Sequence, residues 1–548
     1  MSNQIHIIQN AITTTISEIF RGDFRRICEV KKAVLHLEAI YFCHGTCYLL
    51  KRENMPIKDQ LALYQRIELI PQSTTEFFEN NRECIINNWP EESALAAKPE
   101  ILYDALLASE FCVQPERVGY KIDKVSRDIA GAYYTSSDFS AQITYRALES
   151  YMDRKRRRAI DSDSFACCNE YENITFLDYS CGCGEFLLAV IQYFDNYVLG
   201  YSRKKLATQL RGVDVNPIAL MITIARIVSA VEAEDDENLL REVAKNFIVG
   251  NPLLHSDKIA PLEVRFDNFA LNRLYAETEG INCLELEQQN LVVLGNPPWE
   301  KLRFEEQAFF RPVCPAISAI SQKNKREKEI KKLAVNWLEL LEYYQLLQDD
   351  YASVKKEIPK HPLLKVSLVG ELNTYAMFAE LASRLTEKDG FAAIIVKSAL
   401  VTSTCYSSCF RHFVNQGSLS EVFLFDNREK LFQIDSREKF CVLFFGGEHA
   451  GGIKVHYGLT KQEQILSSVP INVTSEELEL INPETGLLPN VADSKEFSFL
   501  LRTHRSLSVF AKEFPKCHFG RLVHLTAHAE HISTKSEKTR VPIYEGKF

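Results

Sequence analysis

A chain of 548 residues, 46% hydrophobic and 25% charged, holds enough apolar material for about two to four cores and excludes a disordered or fibrous protein. Its opening, MSNQIHIIQNAITTT, lacks the basic-then-apolar pattern of a secretory leader, and no stretch is apolar for the length of a membrane span, so a cytoplasmic protein without membrane contact is expected. A net charge of −9 excludes binding nucleic acid through overall charge; any such contact rests on local clusters, and Arg154–Arg158 and Lys323–Lys332 are the candidates.

Each of those clusters also reads as a solvated helix face. The 15 cysteines are scattered, and the spacings Cys43–Cys47 and Cys405–Cys409 have no second half nearby. Buried reduced thiols fit them better than zinc ligands.

Taken in chain order, residues 1–115 read as a helical domain, with apolar residues at helical spacing through Ile12, Ile16, Ile19 and Phe20 and through Val34, Leu37 and Ile40. Glu29-Val30-Lys31 has the letters of a nuclease motif, but it lies inside this helical pattern without a flanking strand. From 116 to 450 the pattern changes. Seven apolar runs (ITFLDYS, LRGVDV, FIVGNP, LVVLGNPPW, GFAAIIV, SEVFLFD, FCVLFF) alternate with helical stretches, which predicts an α/β domain with a mostly parallel central sheet covered on both faces. Residues 300–365 interrupt the alternation as a charged helical insertion, and residues 451–548 show no clear period.

The chemistry sits at the ends of the strands, where open α/β sheets bind ligands. The first run ends in Asp178 and passes through Ser180, Gly182 and Gly184 into a helix, a turn that backbone and ligand can approach closely. The second ends in Asp214, whose carboxylate can accept from both hydroxyls of a ribose, or simply open a turn before Pro217. The third ends in Asn251-Pro252; the amide can pair with an adenine edge, or form a turn before proline.

The fourth ends in Asn296-Pro297-Pro298-Trp299, a rare string. The prolines fix the backbone and leave main-chain carbonyls free. An exocyclic amine is a poor nucleophile because its lone pair is delocalised into the ring. The Asn296 side-chain oxygen and the Pro297 carbonyl offer two acceptors for its hydrogens, which would orient that lone pair, while Trp299 can stack on the base.

In this order the motifs resemble the γ class of DNA amino-methyltransferases, most of all the large type IIG restriction–modification and phage-exclusion enzymes, over residues 125–450. The resemblance implies a Rossmann-like class I methyltransferase domain that uses S-adenosylmethionine to methylate adenine N6 in double-stranded DNA. It also implies that Gly131–Ser136, with Tyr133 and Thr135, touches the cofactor together with Asp178, Ser180, Gly182, Gly184, Asp214, Asn251 and Pro252. Leu372–Tyr375 with Phe378 resembles the helix after the catalytic motif, and Asn427–Gln433 carries Phe432 as the second aromatic against a flipped base.

Two positions depart from the family pattern: Asn251 stands where Asp is usual, and Tyr179 replaces a proline. Cys314 does not fit a cytosine-C5 nucleophile, because its segment and motif order differ. An RNA base or a protein glutamine, each also presenting an sp² amine, is the rival acceptor. A catalytically silent cofactor-binding subunit of a defence complex is the rival of another class. The runs Gly520–Thr526 and Val541–Lys547 resemble the start of a target-recognition domain, so a separate protein that completes recognition is expected as a partner.

Overall fold

The computed structural model describes residues 2–122, 135–161, 171, 173–255, 260–273, 290–386, 389–446, 451–508 and 513–516. Met1–Phe497 forms one compact unit and Ser498–Phe548 a second. The second is described only at the end of the helix Ser494–Ser506 and in the few residues after it. The segments read as the start of a recognition domain, 520–526 and 541–547, lie outside the described residues.

The front of the chain is helical because its apolar residues repeat at helical spacing. Its helix Ile27–Leu49 is buried almost continuously from Val30 to Cys47, as expected of a helix that is apolar on all sides. Glu29-Val30-Lys31 lies within this helix. The helical reading fails at its end: Ser109–Gln114 (β1) and Arg117–Ile122 (β2) form an antiparallel hairpin, with Phe111 and Tyr120 paired at 4.9 Å. Phe111 and Val113 alternate with polar neighbours there, and Pro115-Glu116 makes the turn.

All seven apolar runs are strands: Thr175–Asp178 (β3), Leu210–Asp214 (β4), Phe247–Val249 (β5), Leu291–Gly295 (β6), Phe391–Lys397 (β7), Leu419–Asp426 (β8) and Lys439–Phe445 (β9). Ile453–Leu459 (β10) and Ile471–Val473 (β11) follow. They build one sheet in the order β11-β10-β8-β9-β7-β6-β3-β4-β5. Neighbours are parallel except at β9, antiparallel to both β7 and β8, and at the edge strand β11.

Counting β3 as the first strand, the order is 3-2-1-4-5-7-6 with the seventh antiparallel, which is the class I methyltransferase arrangement. The Rossmann-like α/β expectation is met. The chain runs outward from β3 to β5 and returns to the other side at β6, so the switch point, where such sheets bind ligands, lies between β3 and β6.

One expected boundary moves. β10 pairs with β8 and β11 with β10, so the sheet continues past residue 450 instead of ending there.

The expected insertion is helical, with Glu306–Val313, Lys323–Asn336 and Leu338–Glu357 as its main elements. It leaves and re-enters at one neck, where Leu302 N donates to Leu372 O at 2.9 Å and Lys301 bridges Asn373. Trp337 Nε1 donates to Arg25 O at 2.7 Å and Tyr343 OH to Leu271 O at 2.9 Å, docking it on the rest of the unit. Among the described residues no helix is long and apolar enough to cross a membrane.

Candidate cofactor and catalytic site

Four adjacent strands bring their carboxyl ends together: β3 and β4 end in Asp178 and Asp214, and Asn251 and Asn296 lie just beyond the ends of β5 and β6. Asp178, closing β3, is only 2% exposed. Its Oδ1 accepts from Ser180 N at 3.0 Å. A side chain at Gly295, the last residue of β6, would put its Cβ 2.7 Å from that same oxygen, so the strand beside Asp178 must end in glycine. Burial pushes the Asp178 carboxyl up to about 8; the Ser180 N–H opposes this and the nearby Asp214 adds to it.

Asp214, closing β4, is held by main-chain donors: Gly182 N at 2.8 Å on Oδ2 and Asn216 N at 2.9 Å on Oδ1. Each oxygen keeps a second lone pair. Burial raises this carboxyl too, against the backbone N–H groups of Asn216, Gly182 and Val215. Asn216 caps the helix Pro217–Ala230 by accepting from Ile218 N at 2.9 Å and donates its amide to Tyr103 OH of the helical front.

The glycine turn is fixed from behind. Thr223 Oγ1 donates to Gly182 O at 2.7 Å, and Arg226 donates to Glu185 at 2.7 Å. Gly184 has φ +85°, and a Cβ there would meet Thr223 Cγ2 at 2.8 Å. A Cβ on Gly182, by contrast, would project into open space. A buried acid, Asp178, and a half-buried one, Asp214, with an open, backbone-lined turn between them fit S-adenosylmethionine, which combines a cationic sulfonium and amino group with ribose hydroxyls. Asn251 Oδ1 accepts from Leu253 N at 3.1 Å, so it makes the turn before proline while its amide nitrogen can still donate to a ligand. Pro252 is buried. Tyr133 lies outside the described residues.

The candidate catalytic loop, Asn296–Trp299, follows β6, the strand next to β3. Asn296 Nδ2 donates to Thr135 Oγ1 at 3.1 Å, which brings the start of the domain to the loop. Thr374 clamps the loop's far side: its hydroxyl donates to Pro298 O at 2.6 Å and accepts from Glu300 N at 2.9 Å, while its own N–H donates to Glu300 O at 2.9 Å. The Pro298 carbonyl is therefore occupied. The Pro297 carbonyl accepts no hydrogen bond among the described residues. Burial pushes the Glu300 carboxyl up to about 7.

The aromatic walls do not stand apart as expected. Trp299 and Phe432 meet edge to face with centroids 5.4 Å apart, and Phe440 stacks on Trp299 at 6.1 Å. Trp299 Nε1 donates to Ile395 O at 3.3 Å, and Phe432 is 1% exposed. Asn427 holds Phe432 in place by accepting from its N–H at 3.0 Å and donating to its carbonyl at 2.9 Å. The two rings expected to face a base are thus in mutual edge-to-face contact, within a cluster that includes Phe440.

Sequence reasoning missed Thr374, Tyr103, Thr223, Arg226 and Glu300 as supports of the site. Thr374 alone carried a signal, lying in the segment already singled out after the catalytic loop.

No protein-family model and no curated protein matches this sequence. Among solved structures it is similar to a DrdV–DNA complex, at 12% identity and TM-score 0.46 over 86% of this chain and 44% of that one. It is also similar to the type IIL restriction–modification enzyme MmeI in complex with DNA, at 12% identity and TM-score 0.39 over 86% of this chain and 60% of that one. A type I restriction–modification methyltransferase subunit from Streptococcus thermophilus aligns at 11% identity and TM-score 0.36, over 92% of this chain and 93% of that one. The chain thus spans less than half the length of the DrdV chain. The likeness is one of general chain course, and the fold assignment stands on the strand order.

Proposed function

We propose that this chain is an S-adenosylmethionine-dependent methyltransferase that modifies adenine N6 in double-stranded DNA, as the modification component of a restriction–modification or phage-defence system. The observation that carries the reading is the convergence of Asp178, Asp214 and the Asn296–Trp299 loop at the switch point of a class I methyltransferase sheet. The ordered motifs, which resemble those of γ-class DNA amino-methyltransferases, support adenine in DNA as the acceptor.

Bound S-adenosylmethionine supplies an electrophilic methyl group. Asp214 takes the ribose hydroxyls on its remaining lone pairs, the open face of Gly182 receives the cofactor's main body, and Asp178 faces its positive charge. The Asn251 amide nitrogen donates to the cofactor adenine, beside Pro252. Asn296 acts on the acceptor: with Nδ2 committed to Thr135, its Oδ1 is the amide atom that takes an amine hydrogen. The Pro297 carbonyl takes the other, so the nitrogen moves towards tetrahedral geometry and its lone pair, withdrawn from the ring, is directed at the methyl group; the methylated amine then loses a proton to solvent. No metal and no covalent enzyme intermediate enter this scheme. Trp299 and Phe432 touch, so admitting a flipped base requires one ring to move and the base to take its place in the stack.

The test is methylation with labelled cofactor on duplex DNA, RNA and a protein extract, followed by digestion of the product. N6-methyladenine in duplex DNA, lost in Asn296→Ala, is expected. Label confined to RNA or protein, or undiminished in Asn296→Ala, would overturn the reading.

A further inference from the structure

The two basic runs of the sequence have different fates. Arg154, which begins the first, is 6% exposed and sits among main-chain carbonyls, donating to Asp389 O at 2.6 Å, Gly390 O at 2.8 Å and Gly446 O. It ties the ends of β7 and β9 together and is closed to a ligand.

The second run lies on the helix Lys323–Asn336. Arg326, Ile330 and Leu333 are its buried side. Arg326 pairs with Glu306, whose other oxygen accepts from Tyr344 OH at 2.6 Å. Glu306 opens the helix that follows the catalytic loop, so the Lys323–Asn336 helix is fixed to the segment leaving Trp299.

Its opposite side is solvent-exposed and carries Lys325, Lys328 and Lys331. Residues three apart fall on one helix face, each about 4.5 Å further along the axis. Lys323 and Lys332 face acids, Glu327 at 3.9 Å and Glu329 at 2.7 Å. The other three lysines form no ion pair among the described residues. The helix has no acid in its first turn and no base in its last, the reverse of what its dipole favours. The lysines therefore add positive potential to this face without stabilising the helix.

We propose that the Lys325–Lys328–Lys331 face binds the phosphodiester backbone of duplex DNA, an inference that rests on DNA being the substrate. Duplex DNA carries about one negative charge per 1.7 Å of axis. A chain of net charge −9 meets it with long-range repulsion, and a rigid row of unpaired cations is what offsets this locally. Phosphate contacts set position, so this face would hold the duplex while the loop acts on one base.

The test uses the full chain and a fluorescein-labelled duplex, with anisotropy followed over about 50–200 mM salt. Lys325→Gln, Lys328→Gln and Lys331→Gln together should bind DNA at least about tenfold more weakly at low salt. The slope of log K against log salt should become shallower by about 2–3, near 0.9 per lost phosphate contact. Helical circular dichroism and cofactor affinity, unchanged in the variant, show that it folds. A variant with the wild-type slope and affinity overturns the lysine face while leaving the proposed function standing. A wild-type chain that binds no duplex, yet methylates RNA or protein, overturns both.

Discussion

The two halves of the site are built on different principles. On the β3–β4 side, main-chain donors from Ser180, Gly182 and Asn216 already hold the carboxylates, and the turn between them faces open space. On the β6–β9 side the loop is clamped by Thr135 and Thr374, but the aromatic rings that would receive a base have closed on one another. Backbone donors are fixed by the fold and hold their geometry without a ligand, whereas apolar rings in water cover each other. Under the proposed function the cofactor half is therefore preformed, and the target half must rearrange.

That contrast is broken most directly at Asn296. Asn296→Ala should abolish methyl transfer, at or beyond the roughly 10²–10³-fold loss seen on removing one preorganised hydrogen-bonding group, with cofactor affinity nearly intact. A large loss of cofactor affinity would mean the halves are not separable. Next, Asp214→Ala should weaken cofactor binding by about 2–4 kcal/mol, roughly 30- to 1000-fold, through lost charge-assisted hydrogen bonds. Calorimetry showing unchanged affinity in the folded variant would remove Asp214 from the site.

A smaller effect follows from Asp178. Its folded pKa of about 8 lies above the ordinary 3.8, so the protonated form prevails at neutral pH and the ligand-free fold loses stability as pH rises between these values. A cationic ligand favours the ionised form. Cofactor affinity should thus climb with pH towards about 8, by at most about tenfold per pH unit, with a proton released on binding. Titration calorimetry in buffers of different ionisation heat reads that proton, and Asp178→Asn should flatten the pH profile.

The smallest signal is optical. In a chain carrying Trp89→Phe and Trp337→Phe, which leaves Trp299 as the sole tryptophan, duplex DNA should change the emission by opening the aromatic cluster, whereas cofactor alone should not. Emission that responds to cofactor but not to DNA would invert the comparison.

The strands and their polar ends were legible because a buried parallel strand writes itself as a short apolar run, and the residue after it must leave the sheet. Each of the seven runs from ITFLDYS to FCVLFF became a strand. β10 and β11 escaped notice because IKVHYGL and INV mix polar with apolar residues near the sheet edge. The β1–β2 hairpin was hidden by the strong helical period before it. Long-range partners were beyond reach: nothing local to Thr374 says that it will grip Pro298, nor anything local to Tyr103 that it will meet Asn216. Single residues identified the candidate Trp299 and Phe432, but whether two rings stand apart or touch depends on packing that no spacing encodes.

The neck of the insertion has a consequence for how such a chain changes over time. Leu302 and Leu372 meet by a backbone hydrogen bond, with the Lys301–Asn373 bridge and the Thr374–Glu300 bond just behind it. A segment whose two ends already touch can be lengthened, shortened or exchanged at little entropic cost to the sheet, since closure is set at the neck and not by what lies beyond it. The helices between Leu302 and Leu372 can in that sense vary at a fixed neck, so long as the Trp337–Arg25 and Tyr343–Leu271 bonds that dock them are kept or replaced. The neck is also the outer edge of the Asn296–Trp299 loop, so a changed insertion brings new surface to the proposed reacting centre while the strands beneath it stay as they are.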